Sequence, residues 1–397
     1  MHSPDLTDPD TYSAGVPHDV FRWLRENDPV SHRGAGHWAV TRYDHVSTVL
    51  REPAIFSSWL GGVLPDDLPV EFLAKLRENM LNRDPPEHTA MRRLVTHAFS
   101  PQRLARLDSK MAVHARILVE RVRDRGHCDF ATEIAGQMPL FVICEILGVP
   151  LSDREMLYSR TARMFGSEFS DRADAQRDAI AAAEELRDYA TELRQAKRAR
   201  PADDLVSDLL HADLDGRRLE HSEFQAFFML LFNAGADTTR SLLCFGLDLL
   251  LDRPDVLDRA RSKPCMLPRV IEEILRFEPP VIQFRRTVAR DTTLGGRKLA
   301  AGDKVLVYFP SANRDASVFA NPDQFDVDRA PNRHLAFGHG VHFCLGARLA
   351  RLECEHVLRQ LIARLGSIER DRPMVTARTA FIRSVQNQEI RFSDRPA

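Results

Sequence analysis

Ala336-Phe337-Gly338-His339-Gly340-Val341-His342-Phe343-Cys344-Leu345-Gly346 surrounds one thiol with glycines, histidines and phenylalanines. The helix-forming run that follows, Leu345 to Glu353, puts Cys344 at or just before a helix N-terminus. Free N–H groups and the positive end of a helix favour a thiolate there over a thiol. Gly338, Gly340 and Gly346 remove side chains where backbone must approach something closely or take a positive φ. N–H groups near the sulfur would tune a metal bound to it, and Phe337 is placed to pack against a flat group on the sulfur side. For Cys-x-Gly alone, a buried cysteine after a glycine loop is the plainer reading. The whole run Phe337-x-x-Gly340-x-His342-x-Cys344-x-Gly346 argues for a ligand.

Outward from this loop the signals are mostly helical. Ser222 to Leu251 is apolar on most sides, the pattern of a long helix through a core. Pro254 and Pro268 suit the starts of two more helices. Leu345, Leu349, Leu352, Val357, Leu361 and Leu365 repeat at helical spacing. Strand signals are fewer, at 37–43, 292–300 and 304–309, the second with Gly295-Gly296 as its hairpin turn. Residues 311–336 show no period, and an irregular stretch of that length is functional or wrapped on the core. The fold class expected is mainly α with minor β, in a single domain over 1–397, with no internal repeat.

With 397 residues, 44% of them hydrophobic, the chain has ample material for a large core. Lys and Arg number 55 against 57 Asp and Glu, which lacks the basic excess of a nucleic-acid binder. The first twenty residues have neither the basic start nor the apolar run of a secretory signal. No apolar stretch approaches the length that spans a bilayer. A cytoplasmic protein with no stable membrane insertion is expected. The six cysteines form no Cys-x-x-Cys pair and no zinc quartet. Cys144 and Cys244 read as core residues, and Cys354 is too far along one helix from Cys344 for a disulfide.

Other constellations hold chemistry-bearing residues. Ala234-Gly235-Ala236-Asp237-Thr238-Thr239 puts poor helix formers and an acid in the middle of the long apolar helix. A threonine hydroxyl can bond the carbonyl four residues back and bend the helix. An acid in such surroundings is costly without a partner or a task; an Asp reaching solvent from a kink is the plainer alternative. In Asp84-Pro85-Pro86-Glu87-His88-Thr89-Ala90-Met91-Arg92-Arg93, His88 and Arg92 share one helix face. A solvated basic face would look the same. Glu273 and Arg276, three apart, say little alone.

Together these residues resemble the cytochrome P450 monooxygenases of the soluble bacterial branch, over nearly the whole chain. The run at 337–346 is similar to that family's haem-thiolate signature, with every position filled. The runs at 84–93, 234–239 and 273–276 match three further family motifs in the same order. The resemblance implies the P450 fold, with the long helix passing over haem b (iron protoporphyrin IX). It implies Cys344 as axial ligand of the iron, with Phe337, Gly338, Gly346, Ala234 and Gly235 against the cofactor. A thiolate ligand pushes electron density to the iron and favours O–O cleavage. His88, Arg92, Arg286 and His342 are implied as contacts of the haem propionates, each charge-assisted bond worth about 1.5–3 kcal/mol. Gly235 would make room for dioxygen, and Asp237 and Thr238 would manage the protons of oxygen activation. Glu273, Arg276 and Arg329 are implied as a structural triad serving folding and haem retention.

Helical arithmetic from Thr238 puts Ala234, Leu230 and, at the edge, Asn233 on the cofactor-facing side. The resemblance adds Val281, Ile282, Phe284, Phe381 and Ile382 as pocket walls and 57–80 as a lid. Such walls suit a lipophilic substrate: a steroid, terpenoid, fatty acyl chain or polyketide. Phe284 to Thr287, Ser311 to Asp315 and His334 to Gly338 are similar to members acting on steroids or branched lipids. Electrons from NAD(P)H would arrive through a ferredoxin or flavodoxin and its reductase. Arg92, Arg93, Arg103, Arg348 and Arg351 are the expected docking patch for that acidic partner. The leading expectation is a monooxygenase that uses O2. Peroxygenase or rearrangement chemistry is the alternative on the same haem, and intact Asp237-Thr238 argues against it. A non-catalytic haem-binding protein is the alternative from another class, disfavoured because no output domain is visible.

Overall fold

The computed structural model describes residues 4–33, 36–166, 173–214 and 216–394. Among these, the helices are α1 (His18–Asn27), α2 (Tyr43–Arg51), α3 (Val70–Leu76), α4 (Glu87–Thr96), α5 (Pro101–Arg123), α6 (Gln137–Leu147) and α7 (Arg154–Gly166). They continue as α8 (Ala173–Ala199), α9 (Leu205–His211), α10 (His221–Leu251), α11 (Pro254–Ser262), α12 (Leu267–Phe277), α13 (Phe309–Ala312) and α14 (Ala347–Arg364). The strands are β1 (Val30–Arg33), β2 (His37–Val40), β3 (Phe56–Ser57), β4 (His127–Asp129), β5 (Gln283–Val288) and β6 (Thr292–Leu294). After them come β7 (Arg297–Leu299), β8 (Lys304–Tyr308), β9 (Leu365–Arg370), β10 (Val375–Thr376), β11 (Val385–Asn387) and β12 (Glu389–Asp394). The mainly helical architecture with small sheets is as expected.

The long apolar helix forms without interruption as α10. It starts on a capping box in which Glu220 and Glu223 each satisfy the other's backbone N–H. Phe224, Phe227, Phe228, Phe232, Leu242, Leu243 and Cys244 along it are buried in one large helical core shared with α5, α6, α12 and α14. Burial nearly all round explains why the sequence shows no polar stripe over this span. The helix α6 packed against it ends at Gly148, φ +72°. A Cβ there would lie 2.3 Å from the Asp204 carboxyl carbon, so both conformation and space demand glycine.

A second layer is the five-stranded sheet in the order β1-β2-β8-β5-β3. β2 and β8 run parallel, and the other pairs are antiparallel. Alternation along β8 sends Val305 and Val307 to one apolar cluster with Phe56 and Phe309. Leu306 and Tyr308 go to another with α1. The strand expected at 37–43 ends at Val40, because Tyr43 opens α2 with its N–H donated to Asp315 Oδ2 at 2.9 Å. The Gly295-Gly296 turn joins β6 and β7 as expected. No helix of the described residues is long and apolar enough to cross a membrane.

Candidate active site

The cysteine loop is closed by its own backbone. Gly338 N–H donates to Leu335 O at 2.8 Å, and Cys344 N–H to Phe337 O at 2.9 Å. Gly340 takes φ +72°, and a Cβ on it would lie 2.5 Å from Leu50 O at the end of α2. Glycine is what lets the loop lie on α2. Cys344 comes three residues before α14, with its surface accessible but protein on most sides. Burial raises the thiol's pKa, while the Gly346 N–H and the Arg92 and Arg351 guanidinium groups oppose that rise.

Beside the loop, β5 and α4 bring cationic and ring nitrogens together. The His88 and His342 rings are 4.1 Å apart. Burial first, then Arg92, pulls His88 down to about 4. Burial, Arg286 and His88 pull His342 to about 2, so both rings are neutral at working pH. Arg286 is 2% exposed. Burial lowers its pKa to about 10, and its Nη1 donates to the backbone oxygen of Arg285 at 2.7 Å. The carboxylate that acts on it, Asp84, already accepts from Ser57 Oγ at 2.5 Å and Ser58 N at 2.8 Å. Ser58 Oγ also lies 3.3 Å from His342 Nε2. Arg92 donates Nη2 to Phe343 O at 2.7 Å, bracing the cysteine loop from α4.

On α10, Thr238 Oγ1 donates to Ala234 O at 2.9 Å. Gly235 packs towards α6. A Cβ there would meet Ile143 of α6 at 3.7 Å, so this glycine faces the α6 contact rather than making room beside Thr238. The helical period decides it, since Ala234 shares Thr238's face and Gly235 lies about 100° round. Asp237 Oδ1 accepts from Arg240 Nη2 and, at 3.0 Å, from Ser384 Oγ near β11. Both carboxylate and guanidinium line a cavity of about 390 Å³ with Leu140, Tyr158, Thr161 and Phe232. This cavity lies on the side of α10 away from Thr238 and Ala234.

The remaining expected residues sort into two groups. Phe284 packs edge-on against Phe381 at 5.5 Å and Phe309 at 5.9 Å, and Val281 bridges to Ile382. Leu230 is half-buried on the helical core. Asn233 Nδ2 points at Met164 Sδ at 3.8 Å, and its Oδ1 is buried with no hydrogen-bond partner. Ile282 does not join the wall. It is fully buried with Leu306 and Tyr308, whereas Val281 and Phe284 both pack on the cluster that holds Val307 and Phe309. Glu273, Arg276 and Arg329 do meet: Glu273 accepts from Arg276 at 2.6 and 2.8 Å and from Arg329 at 3.3 Å. Asn332 and the Asp326 N–H complete the carboxylate's partners. This network pins the irregular 311–336 stretch to α12.

The expected basic patch is thinner than its arginine count. Arg103 is paired with Asp203 and Asp208, and Arg351 with Glu272. Arg348 is exposed at the start of α14, and Phe343, five residues before it, is 42% exposed. Four residues of the site escape a reading of the sequence: Ser58, Asp84, Arg240 and Ser384. Serine carries no pattern, and Arg240 reads as an ordinary helix residue. Asp84, heading the Pro85-Pro86 run, had a signal that could have been followed.

A family model described as Cytochrome P450 matches residues 156–383. The chain belongs to the cytochrome P450 family. A putative cytochrome P450 126 of Mycobacterium tuberculosis is 42% identical over 382 residues, covering 92% of this chain and 91% of that one. A methyl-branched lipid omega-hydroxylase of the same organism is 36% identical over 390 residues, 94% of this chain and 90% of the relative. The crystal structure of a Bacillus megaterium P450 in complex with testosterone superposes with a TM-score of 0.86 at 32% identity, covering 96% and 99% of the two chains. As a P450 monooxygenase this protein works with a haem-thiolate group, O2 and a redox partner.

Proposed function

We propose that Cys344 is the axial ligand of the P450 haem and that the Asp237-Thr238 pair serves its proton supply. The observation that carries this is Arg286. A guanidinium 2% exposed, with its neighbouring carboxylate already engaged, sits beside His342, two residues from Cys344. Buried cations are paired in folded proteins, and the haem's propionates are the anions that fit. His88, whose Nδ1 is buried without a partner, and Arg92 stand beside it for the same carboxylates. Phe337, the glycine loop and Ala234 would hold the haem beside Cys344, and the Glu273-Arg276-Arg329 network holds the loop's approach.

When bound, the haem activates O2 with two electrons, placing one oxygen atom in the substrate and releasing the other as water. Thr238 holds a proton at Oγ1, oriented by its bond to Ala234 O. Asp237 takes protons from the cavity side of α10 and passes them towards Thr238. Arg240 and Ser384 fix the carboxylate in place until then.

The substrate is a lipophilic molecule of the steroid or branched-lipid type, oxidised by hydroxylation. The apolar wall of Val281, Phe284, Phe381 and Ile382 supports this, as do the omega-hydroxylase relative and the testosterone complex. Leu230 lies along the same pocket, and Asn233 presents an unpaired amide oxygen to a substrate hydroxyl. Electrons come from NAD(P)H through a ferredoxin or flavodoxin in the cytoplasm. The deciding experiment is the absorption spectrum of the reduced carbonyl adduct of purified protein, compared with Cys344→Ala. A strongly red-shifted Soret band lost in the variant is expected. A globin-like band in the unaltered protein would sink the assignment.

A further inference from the structure

Two consecutive carboxylates on α12 serve different partners. Glu273 organises the 311–336 stretch, while Glu272 turns to the cysteine loop and α14. Its Oε1 accepts from Arg351 Nε at 2.5 Å and its Oε2 from Arg351 Nη2 at 2.9 Å, a two-point fork. His334 Nε2 lies 3.2 Å from the same Oε2. Burial alone would raise the carboxyl, but Arg351 and His334 outweigh it and hold Glu272 at about 2, so it is an anion throughout the working range. Arg351 also donates Nη1 to Ala347 O at 3.1 Å, and its guanidinium stands 4.5 Å from the centre of the Phe337 ring. Phe337 is the residue whose carbonyl receives the Cys344 N–H.

Two cations therefore act on the sulfur of Cys344, and they differ. Arg92 donates Nη2 to a neutral carbonyl, Phe343 O, and its remaining N–H groups are those offered to the haem carboxylates. Arg351 is matched by a full negative charge. A cation beside an electron-accepting centre favours the reduced state, and a carboxylate forked onto that cation cancels most of its field. About a third of each side chain is exposed, so solvent weakens but does not erase the effect.

We propose that Glu272 is a positioning residue for the thiolate centre: it holds Arg351 on the Phe337 ring and neutralises that cation, keeping the iron's reduction potential low. The proposal rests on Cys344 being the axial ligand. Its test is spectroelectrochemical titration of the haem-loaded protein as Glu272→Gln, Arg351→Leu and the double variant. Glu272→Gln should shift the potential positive and Arg351→Leu negative, with the double variant returning close to the starting value. Glu272→Asp, which keeps the charge, should stay near the parent and serves if the amide variant folds poorly. Shifts of the same sign in both single variants, or no shift in either, would overturn the proposal, since a bracing role alone cannot give opposite signs. The carbonyl spectrum is recorded on the same samples. A globin-like band in the parent would instead mean that the Cys344 assignment has failed.

Discussion

Single residues in this protein are set by what burial does to their charge. Glu353 on α14 is the plainest case, 4% exposed, with Oε2 unpaired, and burial alone pushes it up to about 8. Its folded pKa lies above the unfolded value, so the folded state binds more protons between about 4.5 and 8. Stability is therefore highest below that window and falls as pH rises through it, by on the order of a few kcal/mol. Glu353→Gln should flatten that slope. Its melting temperature should exceed the parent's by a margin that grows from pH 5 to pH 8, which thermal scans at several pH values will read. Arg286 and the two neutral histidines obey the same physics in the opposite charge sense. Burial disfavours their charged forms, and a propionate at the proposed haem site would favour them.

At the scale of elements, β5 joins the surroundings of His342 to the segment expected as a lid. Arg285 and Arg286 are neighbours on one strand, so they point to opposite faces. Arg286 faces His342, while Arg285 donates to Asp66 O at 3.0 Å and Asp67 Oδ1 at 2.9 Å. Lys304 of β8 completes the clasp on Asp67 at 2.5 Å. The root of the segment pairs with the same strand, Ser57 opposite Thr287. Gly61 lies so close to Arg285 that a Cβ would stand 2.7 Å from its guanidinium carbon. Asp67 is largely exposed, so the clasp contributes about 1 kcal/mol or less to global stability, and its effect is local. Asp67→Asn should leave the melting temperature within a few degrees. Amide deuterium uptake across 59–67 should rise several-fold, and a haem-ligating azole should bind with a faster on-rate. Unchanged exchange in that segment would show that the clasp does not hold it.

For the whole molecule, one helical core and a two-faced sheet place the cysteine loop on one side of α10's surroundings and leave Arg348 and Phe343 exposed beside it. An exposed cation and an exposed aromatic ring around one loop suit docking of an acidic electron carrier. Arg348→Glu should slow reduction by a ferredoxin several-fold and weaken its dependence on salt, with substrate affinity unchanged; stopped-flow reduction at two ionic strengths checks this. The amino-acid sequence by itself determined the helical class, the buried course of α10, the β6–β7 turn and the cysteine loop. These rest on local period, on glycine conformations and on spacings within one segment, all written in neighbouring residues. Glu273, Arg276 and Arg329 are named through the resemblance to the P450 family, since their spacing alone says little. Only the tertiary structure decided which way Ile282 and Gly235 face, that Arg103 and Arg351 are already paired, and that Asp84, Ser58, Arg240 and Ser384 belong to the site. Those facts depend on contacts between residues up to some 280 positions apart, and on which side of a strand or helix a neighbour arrives. No local pattern carries that, since packing is settled only when the whole chain has closed on itself.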